Sequence, residues 1–493
     1  MGQNAVTNAV VDEPTPAGFR VLGYESFDKR AGLPQDEAAQ EQKSWWFFWT
    51  WLVTPHIEFG AIWIGLIVVY FMDVSLLQAL IGLFLGTAFG AFTHGVLTAT
   101  GVRLRVPQLE LGRTAFGKKG NLIVTTVMSV ISAYGWFIVN SLVAALAITA
   151  LFDFSTVWAL LIVVVVQFVL AQTGISYRAI KRYLYPAVSV LLVIAGVFAF
   201  VEVDPATDPG SPWDINGLIA IVVVACIAWA YSIGWSPYAT DYSAVHPKAS
   251  SAKRSGVFAA LGLFAATMFL MSVGAVAGVV VGDKSTDNPT ADFTSFLPEW
   301  LKVLVLIGLI VSPIAGSVVT LKSARNVFRF PGLGLSPQAS VLAGQLVMTV
   351  LAFFLGWAAL GDLAANYEGF VMILGVWIGP WLNVILVDQY IKRKTDVTSL
   401  LYADGLSVKW GLFSAAFGIV ASVLLWALQV FDRGFLPHGG LAYAALGMLV
   451  GFYLAAIVYG AGLKRVIKEH EIEAGQIDPH HKKPHLHLIP HRS

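Results

Sequence analysis

The sequence is poor in charge and in cysteine. Of its 493 residues only 12% are charged and 57% are hydrophobic, whereas a soluble domain is roughly one-quarter charged. The single cysteine, Cys226, lies in an apolar run, which excludes a disulfide framework. The sequence contains no Walker motif, no G-x-S-x-G and no cluster with metal-ligand spacing. We therefore expect no ATP-driven pump and no enzyme, hence no catalytic residues, cofactor or bound metal.

The chain has instead apolar blocks of about 20 residues, the length of a helix that crosses a bilayer. There are twelve, here named spans 1 to 12, near 45–71, 76–100, 121–151, 156–174, 184–201, 215–240, 256–282, 299–321, 338–360, 369–391, 409–431 and 440–463. The polar stretches 1–44 and 464–493 are interpreted as cytosolic tails, since the first lacks the apolar core of a signal peptide. The second is rich in histidine without fixed spacing and is interpreted as disordered. The sequence thus predicts an all-α polytopic membrane protein with twelve transmembrane helices.

Lysine and arginine are confined to alternate connections between the blocks. All but three of the 31 lie in the tails or in these alternate connections, the exceptions being Lys284, Lys302 and Arg433. Acidic connections such as "VEVDPATDPGSPWD" fall between them. Because basic loops stay in the cytoplasm, we predict a multi-pass protein of the plasma or inner membrane with both termini cytoplasmic. Its expected partners are the lipid bilayer and a small-molecule substrate, with no nucleic acid.

Two spans contain residues that interrupt a membrane helix. Span 1 has Pro55 and Gly60 in "WLVTPHIEFG", and span 6, which runs in the opposite direction, has Gly234 and Pro237 in "SIGWSPYATD". Proline lacks a backbone donor and glycine tolerates unusual dihedrals, so we predict that span 6 departs from helical geometry here. Two unrelated proline kinks are the alternative. Matching breaks indicate a secondary transporter with inverted repeats, formed by spans 1–5 (45–201) and spans 6–10 (215–394), with spans 11–12 (405–463) added.

An aromatic side chain and an amide share one face of span 3. Trp136 and Asn140 are four residues apart in "AYGWFIVNS", and Gly135 leaves space beside the indole that could admit a flat molecule. An indole face with an amide suits a planar heterocycle that has a hydrogen-bonding edge. Trp235, beside the break of span 6, is a second candidate wall together with Gly234. The alternatives are a packed core tryptophan, an asparagine that bridges helices, and interfacial anchoring by Trp235 and Tyr238.

Ionisable side chains inside a span are costly and indicate function by default. Glu58 in span 1 could accept hydrogen bonds from a substrate or exchange a proton during transport, and His56 could share that second role. A structural hydrogen-bonded pair at the broken helix is the alternative. His94 in span 2 is interpreted as a hydrogen-bonded core histidine.

Two carboxylates lie near the cytoplasmic ends of spans 6 and 10. Asp241 and Asp388 are candidate gating residues together with Pro237, the hinge candidate of span 6. For Asp388, in "VDQYIKRK", we favour the simpler interpretation of a surface ion pair with Arg393.

With these residues identified, the chain resembles the nucleobase–cation symporters, in their purine–cytosine permease branch. The similarity extends from about Trp45 to Lys394 and depends on four motifs in order, "VPQLELGRTAFGKKGN", "AYGWFIVNS", "GWSPYATDYS" and "GPWLNVILVDQYIKR". The resemblance implies a five-plus-five inverted-repeat fold with two additional helices. It also implies that a substrate ring lies between Trp136 and Trp235, with Asn140 as its polar contact.

The chain departs from the pattern of that family at three places. Span 8 offers "SPIAGSVVTLKSA", with Ser312, Ser317 and Thr320, where the family commonly has an asparagine that reaches the substrate. Span 1 has "TPHIEFG" in place of neutral amides or hydroxyls, and no arginine follows Asp241 and Tyr242. We take Ser317 as the candidate contact from span 8, and we expect a cation, H⁺ in preference to Na⁺, to be carried by Glu58.

The resemblance and the residues together predict import of a small planar nitrogen-rich compound by alternating access. A nucleobase such as cytosine or a purine, or a related heterocycle, fits the predicted walls. An amine, amino-acid or vitamin symporter on the same fold is the first alternative, because Glu58 would suit a cationic or donor-rich substrate. A channel or a non-transporting receptor is the alternative from another class, and paired breaks in opposite-facing spans favour alternating access over an open pore.

Overall fold

The computed structural model of the protein describes residues 44–53, 58–70, 72, 74–106, 108–173, 180–204, 208, 212–244, 251–282, 286–323, 337–392, 409–432, 434, 436 and 439–462. Within these ranges the regular structure is helical and no strand occurs. The two predicted tails, apart from residue 44, lie outside the described residues.

The α-helices of the described residues are Trp46–Val53, Phe59–Tyr70, Leu76–Leu104, Gln108–Leu111, Arg113–Phe152, Thr156–Ala171, Tyr185–Glu202, Ile215–Ile233, Asp241–Ala244, Ala252–Val281, Pro289–Thr294, Glu299–Ser323, Pro337–Ala359, Leu363–Ile391, Lys409–Ala427 and Gly439–Ala461. A π-helical turn, Ile180–Leu184, precedes span 5, and 3₁₀ turns occur at Ser236–Tyr238 and Leu428–Phe431. Trp46–Val53 and Phe59–Tyr70 are called the first and second halves of span 1.

The predicted apolar blocks coincide with the helices. Ten described helices are long and apolar enough to cross a membrane, and two shorter apolar helices, Phe59–Val69 and Thr156–Ala171, lie in the blocks of spans 1 and 4. The all-α membrane fold is therefore confirmed. The number of complete crossings and the inverted repeat stay predictions, as do the predicted domain limits.

Side-chain caps mark where several spans begin. Ser75 and Gln78 form a capping box at the start of span 2. Asp214 accepts hydrogen bonds from two backbone N–H groups at the start of span 6, and Ser251 and Asp362 each accept one at the starts of spans 7 and 10. These polar caps satisfy N–H groups that a helix end leaves without an intrahelical partner.

The spans pack in two groups that meet at spans 6 and 10. Span 2 packs most extensively against spans 6 and 7, and span 7 also covers both halves of span 1. Span 3 packs against spans 4, 8 and 9, and spans 11 and 12 pair with each other beside span 10. Span 10 contacts span 6 on one side and span 3 on the other. The break of span 6 therefore lies within the first group, while residues 54–57, where the break of span 1 is predicted, lie outside the described residues.

The long helix Arg113–Phe152 is two helices joined at Gly117. This glycine has φ 67° and ψ 175°, a left-handed conformation that residues with a Cβ rarely adopt. The membrane-crossing part of span 3 begins later, at Tyr134. Thr114, before the kink, therefore belongs to the connection between spans 2 and 3.

Candidate functional site

The break in span 6 is confirmed. The α-helix that starts at Ile215 ends at Ile233, a 3₁₀ turn follows at Ser236–Tyr238, and a short helix resumes at Asp241–Ala244. Pro237 lies inside the 3₁₀ turn, where it has no backbone N–H to donate. A 3₁₀ turn therefore replaces the α-helix at the position where the sequence predicted a break.

The reason for glycine at position 234 differs from the one predicted. Gly234 has φ −51° and ψ −25°, ordinary right-handed values, so the expectation of unusual dihedrals is wrong. A Cβ at this position would lie 3.0 Å from the carbonyl oxygen of Tyr231 and 3.7 Å from Cζ2 of Trp136. The tight contact is with the carbonyl oxygen of Tyr231 at the end of the same helix, whereas the indole of span 3 lies at an ordinary van der Waals distance.

Trp136 lies where four spans converge. Its half-buried indole makes edge-to-face contacts with Tyr231 of span 6, at 5.5 Å between ring centroids, and with Phe370 of span 10, at 5.4 Å. From span 1, a Cβ on Gly60 would lie 3.6 Å from Cζ3 of Trp136. Span 1 therefore lies at van der Waals distance from the indole, and the atom that a Cβ on Gly60 would clash with is the hydroxyl oxygen of Tyr367, at 2.8 Å. Trp136, the residue of span 3 predicted to form a wall of the site, therefore lies between spans 1 and 6.

The space beside Gly135 is filled by a ring of the protein itself. A Cβ on Gly135 would lie 1.9 Å from Cε2 of Phe370. The expectation that this space admits a flat substrate is therefore wrong for this conformation, because the phenyl ring of Phe370 lies there. A flat group does lie next to Trp136 beside Gly135, but in this conformation it is the phenyl ring of Phe370 from span 10.

A narrow cavity of about 20 Å³ brings Glu58 and Asn140 together. Glu58 lines it from the bend before the second half of span 1, and Asn140 lines it from span 3, where it is 9% exposed. The amide Nδ2 of Asn140 is 3.7 Å from the place where a Cβ on Gly316 would lie. The cavity has room for roughly one water molecule and not for a heterocycle in this conformation.

Sequence reasoning missed one polar residue of this cavity. Tyr185, at the start of span 5, lines the cavity together with Ser312 and Gly316 of span 8. Its position directly before Pro186 was the available signal, since proline near a helix start sets the entry angle of the chain. Ser317, the residue predicted from span 8, is fully buried beside Gly316 and does not line the cavity; its hydroxyl has no hydrogen-bond partner.

Trp235 lies in a different environment from Trp136. Its half-buried ring makes edge-to-face contacts with Trp51 in the first half of span 1, at 6.4 Å between centroids, and with Tyr238, at 6.3 Å. It packs against a hydrophobic cluster formed by Phe47, Trp51, Ala91, Val102, Ala259 and Leu263. The two indoles of the predicted sandwich thus contact different rings in this conformation, and the sandwich stays a prediction.

A second cavity lies on the side of the molecule that the sequence predicts to face outward, and it is called the outer cavity. It has a volume of about 260 Å³ and is lined from spans 1 and 10 and from the connections between spans 7 and 8 and between spans 9 and 10. Trp63 lines it and stacks on Tyr367 of span 10, at 4.2 Å between centroids and 11° between planes. The hydroxyl of Tyr367 donates a hydrogen bond of 2.8 Å to the carbonyl oxygen of Gly60. This layer of rings thus reaches from the outer cavity to Gly60, two residues after Glu58.

Asp388 is not on the surface, so the favoured interpretation of a surface ion pair is wrong. Its carboxylate is completely buried and forms an ion pair with Lys392, which is also buried. Thr114 and Tyr459 donate hydrogen bonds of 2.6 and 2.7 Å to the same carboxylate. Lys392 donates another of 2.7 Å to the carbonyl oxygen of Thr114. The expected partner Arg393 lies outside the described residues, and a gating role for Asp388 stays a prediction.

His94 is buried as predicted, but it is not hydrogen-bonded. Among the residues that the structure describes, neither ring nitrogen has a hydrogen-bond partner, which contradicts the interpretation as a hydrogen-bonded core histidine. For the remaining predicted residues the structure provides no test of the predicted roles. His56 and Pro55 lie outside the described residues, as does the side chain of Asp241, and Pro237 is a buried hinge candidate.

Comparison with known proteins gives a matching family and matching folds. The family described as permeases for cytosine/purines, uracil, thiamine and allantoin matches residues 34–451 of the chain. A curated relative, YxlA of Bacillus subtilis (strain 168), provisionally named a purine-cytosine permease, is 23% identical over 366 residues. That alignment covers 72% of this chain and 78% of the relative.

Solved structures of the transporter Mhp1 share the fold over nearly the whole chain. Its inward-facing structure matches with a TM-score of 0.64 at 17% identity, covering 87% of this chain and 92% of Mhp1. Its closed structure with bromovinylhydantoin, described as a nucleobase–cation symporter, matches with a TM-score of 0.60 at 16% identity, covering 87% and 94%. The family match over most of the chain and the shared fold lead to one conclusion: the protein belongs to the nucleobase–cation symporter family of membrane transporters, in the branch of the cytosine/purine permeases.

Proposed function

We propose that the protein imports a small planar nitrogen-rich compound, a nucleobase such as cytosine or a purine or a related heterocycle, together with a proton. The observation that supports this most directly is the convergence of three predicted residues. Trp136 lies among rings of spans 6 and 10, Asn140 follows one turn later, and Glu58 lines the same cavity as Asn140. An aromatic face, an amide and a carboxylate offer stacking, hydrogen bonding and a proton-binding group within one region.

The two cavities support alternating access as the transport mode. The inner cavity beside Glu58 and the outer cavity above Trp63 lie on opposite sides of the ring layer formed by Trp63 and Tyr367. Opening that layer would expose Trp136 to the outer side, and displacing Phe370 would free one face of the indole for a planar substrate. The predicted sandwich further requires Trp235 to leave its contact with Trp51.

Ligand-induced thermal stabilisation of the purified protein tests the substrate class. Cytosine, adenine, uracil, allantoin, thiamine and small amines form the panel, and planar neutral nucleobases are expected to raise the melting temperature most. Uptake of the stabilising compound into proteoliposomes with an imposed pH gradient then tests coupling. If none of the heterocycles stabilises the protein while amines do, the nucleobase assignment is wrong.

Glu58→Gln separates the two roles proposed for this carboxylate. Glutamine keeps the shape and the hydrogen bonds but cannot ionise, so a proton carrier changed in this way should still bind and exchange substrate while it loses pH-driven accumulation. Glu202→Gln, an exposed glutamate at the far end of span 5, is the matched control and should transport normally. Wild-type uphill uptake by Glu58→Gln at the same pH gradient would exclude the carrier role.

A second candidate function follows from the same carboxylate. A cationic vitamin or amine would pair its charge with Glu58 in the cavity, whereas a neutral nucleobase needs no counter-ion there. For such a substrate, Glu58→Gln should weaken binding itself, and more for a cationic compound than for a neutral one. Binding measured without a pH gradient therefore distinguishes this candidate from proton coupling.

A further inference from the structure

Spans 2 and 6 are in contact along a row of glycines spaced four residues apart. A Cβ on Gly82 would lie 2.7 Å from the side chain of Val224, and one on Gly86 would lie 2.0 Å from the carbonyl oxygen of Ala225. A Cβ on Gly90 would lie 2.4 Å from Cβ of Ser232. Small residues at this spacing allow two membrane helices to pack at backbone distance.

The row is interrupted by His94 and Thr98, opposite the break in span 6. It resumes at Gly101, where a Cβ would lie 2.8 Å from Cβ of Thr240. This register places His94 at the level of Ser236, in the 3₁₀ turn, and Thr98 one turn further along span 2. From the third side the ring of Trp51 contacts His94, at 3.9 Å between centroids. A histidine thus lies in the seam between the first half of span 1, span 2 and the break of span 6.

The polar groups of this seam have no hydrogen-bond partners. His94, Thr98 and Ser236 are fully buried. Within the described part of the chain, no hydrogen-bond partner is found for either nitrogen of His94, for Oγ1 of Thr98 or for Oγ of Ser236. A buried polar group left in this way is costly, and a charged imidazolium would be far more costly without an acceptor or water. The closed seam can therefore hold the neutral imidazole only.

Among the side chains that the structure describes, the charged groups on the surrounding elements do not offset an imidazolium. The first half of span 1, Trp46–Val53, has no titratable side chain. The break of span 6 contributes the phenol of Tyr238, and the side chain of Asp241 lies outside those the structure describes. The described charges on spans 2 and 7 nearest the cytoplasmic ends are basic, Arg103, Lys253 and Arg254. Water entering the opened seam would stabilise a charge on His94.

We propose that His94 is a proton-binding site that couples protonation to the opening of this seam. The proton comes from water on the predicted cytoplasmic side, adds to the ring nitrogen that carries the lone pair, and returns to water when the seam closes. By linkage, a proton that binds the open seam better also favours opening, so acidic pH should increase the open population. The place of this site in transport rests on the proposed function, whereas the pH-dependent opening does not.

Cysteine labelling tests the proposal, because the only cysteine of the chain can be removed. Thr98→Cys in a Cys226→Ser chain is treated with a membrane-permeant maleimide at about pH 5.5 and about pH 7.5, on either side of the ordinary titration of histidine. Rates are expressed relative to Thr173→Cys, an exposed position, because thiol reactivity itself changes with pH. The relative rate should rise about tenfold at the lower pH, and His94→Gln should abolish that rise.

Two further variants keep the experiment decisive. Thr87→Cys, buried in span 2 against Met271 of span 7, should show no rise, and a rise there would indicate general loosening and overturn the proposal. His94→Asn is the second non-titrating variant if His94→Gln does not insert into the membrane.

The proposal is wrong if Thr98→Cys is never labelled, if its relative rate does not depend on pH, or if the dependence survives in both histidine variants. No substrate is needed for this measurement. Its failure is therefore distinguishable from a failure of heterocycles to stabilise the protein.

Discussion

The two ends of span 10 are held by different kinds of contact. At its C-terminal end, which is predicted to be the cytoplasmic end, Asp388 and Lys392 form a buried ion pair that also binds Thr114 and Tyr459, and so joins span 10 to span 12 and to the connection before span 3. At its N-terminal end, which is predicted to be the outer end, Tyr367 stacks on Trp63 and donates one hydrogen bond to Gly60, and Phe370 packs on Trp136.

The difference indicates which end can move at low cost. Removing one partner of a buried ion pair costs about 3–5 kcal/mol, whereas an aromatic pair contributes about 0.5–1.5 kcal/mol beyond its buried area. Pro380 lies inside the helix Leu363–Ile391, between the two ends, and interrupts its hydrogen bonding. We therefore expect the outer end to separate from span 1 at a lower cost than the cytoplasmic end separates from span 12.

The largest effect is expected for Asp388→Asn. The change leaves the ammonium group of Lys392 buried without a counter-charge, so the free energy of unfolding should fall by about 3–5 kcal/mol. Denaturant or thermal unfolding of the purified variant measures it. Glu299→Gln is the control, because Glu299 pairs with Lys302 at 3.9 Å on the surface, and its loss should cost less than about 1 kcal/mol.

The double change Asp388→Leu with Lys392→Met sharpens the same comparison. It removes both charges and keeps apolar volume, so it should recover much of the stability that Asp388→Asn loses. Wild-type stability of Asp388→Asn itself would show that the ion pair does not hold the cytoplasmic end of span 10.

A smaller effect is expected for Trp136→Ala, at the ring cluster near the outer end. If the indole stacks on a planar substrate, binding should weaken by about 1–3 kcal/mol, the range for stacking of a base on an aromatic side chain. Trp136→Phe should retain part of the affinity. Ligand-induced thermal stabilisation measures both variants, and Trp158→Ala, an indole 61% exposed on span 4, is the control. Unchanged affinity in a correctly inserted Trp136→Ala would exclude stacking.

The smallest effect is expected for Tyr367→Phe. It removes only the hydrogen bond to Gly60, worth about 0.5–1.5 kcal/mol, and keeps the stack on Trp63. The outer end of span 10 should therefore separate from span 1 more often, and its distance from span 8, used as the reference, should change. Spin labels at residues 365 and 300 in a Cys226→Ser chain report that distance. Tyr453→Phe, on the exposed face of span 12, is the control, and identical distance distributions in both variants would contradict a gate at Tyr367.

Several features of the fold could be predicted from the sequence because they depend on composition along one chain segment. The apolar blocks predicted the helices, and Gly234 and Pro237 predicted the break in span 6, since a missing donor acts wherever the proline lies. The four motifs predicted the family that the comparisons confirm. Trp136 and Asn140 were predicted to share a face of span 3 because residues four apart in a helix do so, whereas the position of Trp136 near span 6 was implied by the resemblance to the family.

What could not be predicted depends on which helix faces meet. Asp388 and its neighbours have the composition of a surface segment, and only the packing of span 12 and Thr114 against them makes the ion pair buried. Phe370 is distant in sequence from Gly135, yet its ring fills the space that glycine leaves. The sequence alone could not show that the described neighbours of His94 leave both of its ring nitrogens without a hydrogen-bond partner.

The sequence by itself thus determined the membrane class, the helices, the break in span 6 and the family, because each follows from hydrophobicity, backbone chemistry or motif order within a short segment. The tertiary structure alone decided which side chains share a cavity, which rings form the layer at Trp63, and which charges are buried. Those outcomes depend on the rotation and register of helices that are far apart in the chain, and close packing between them sets both.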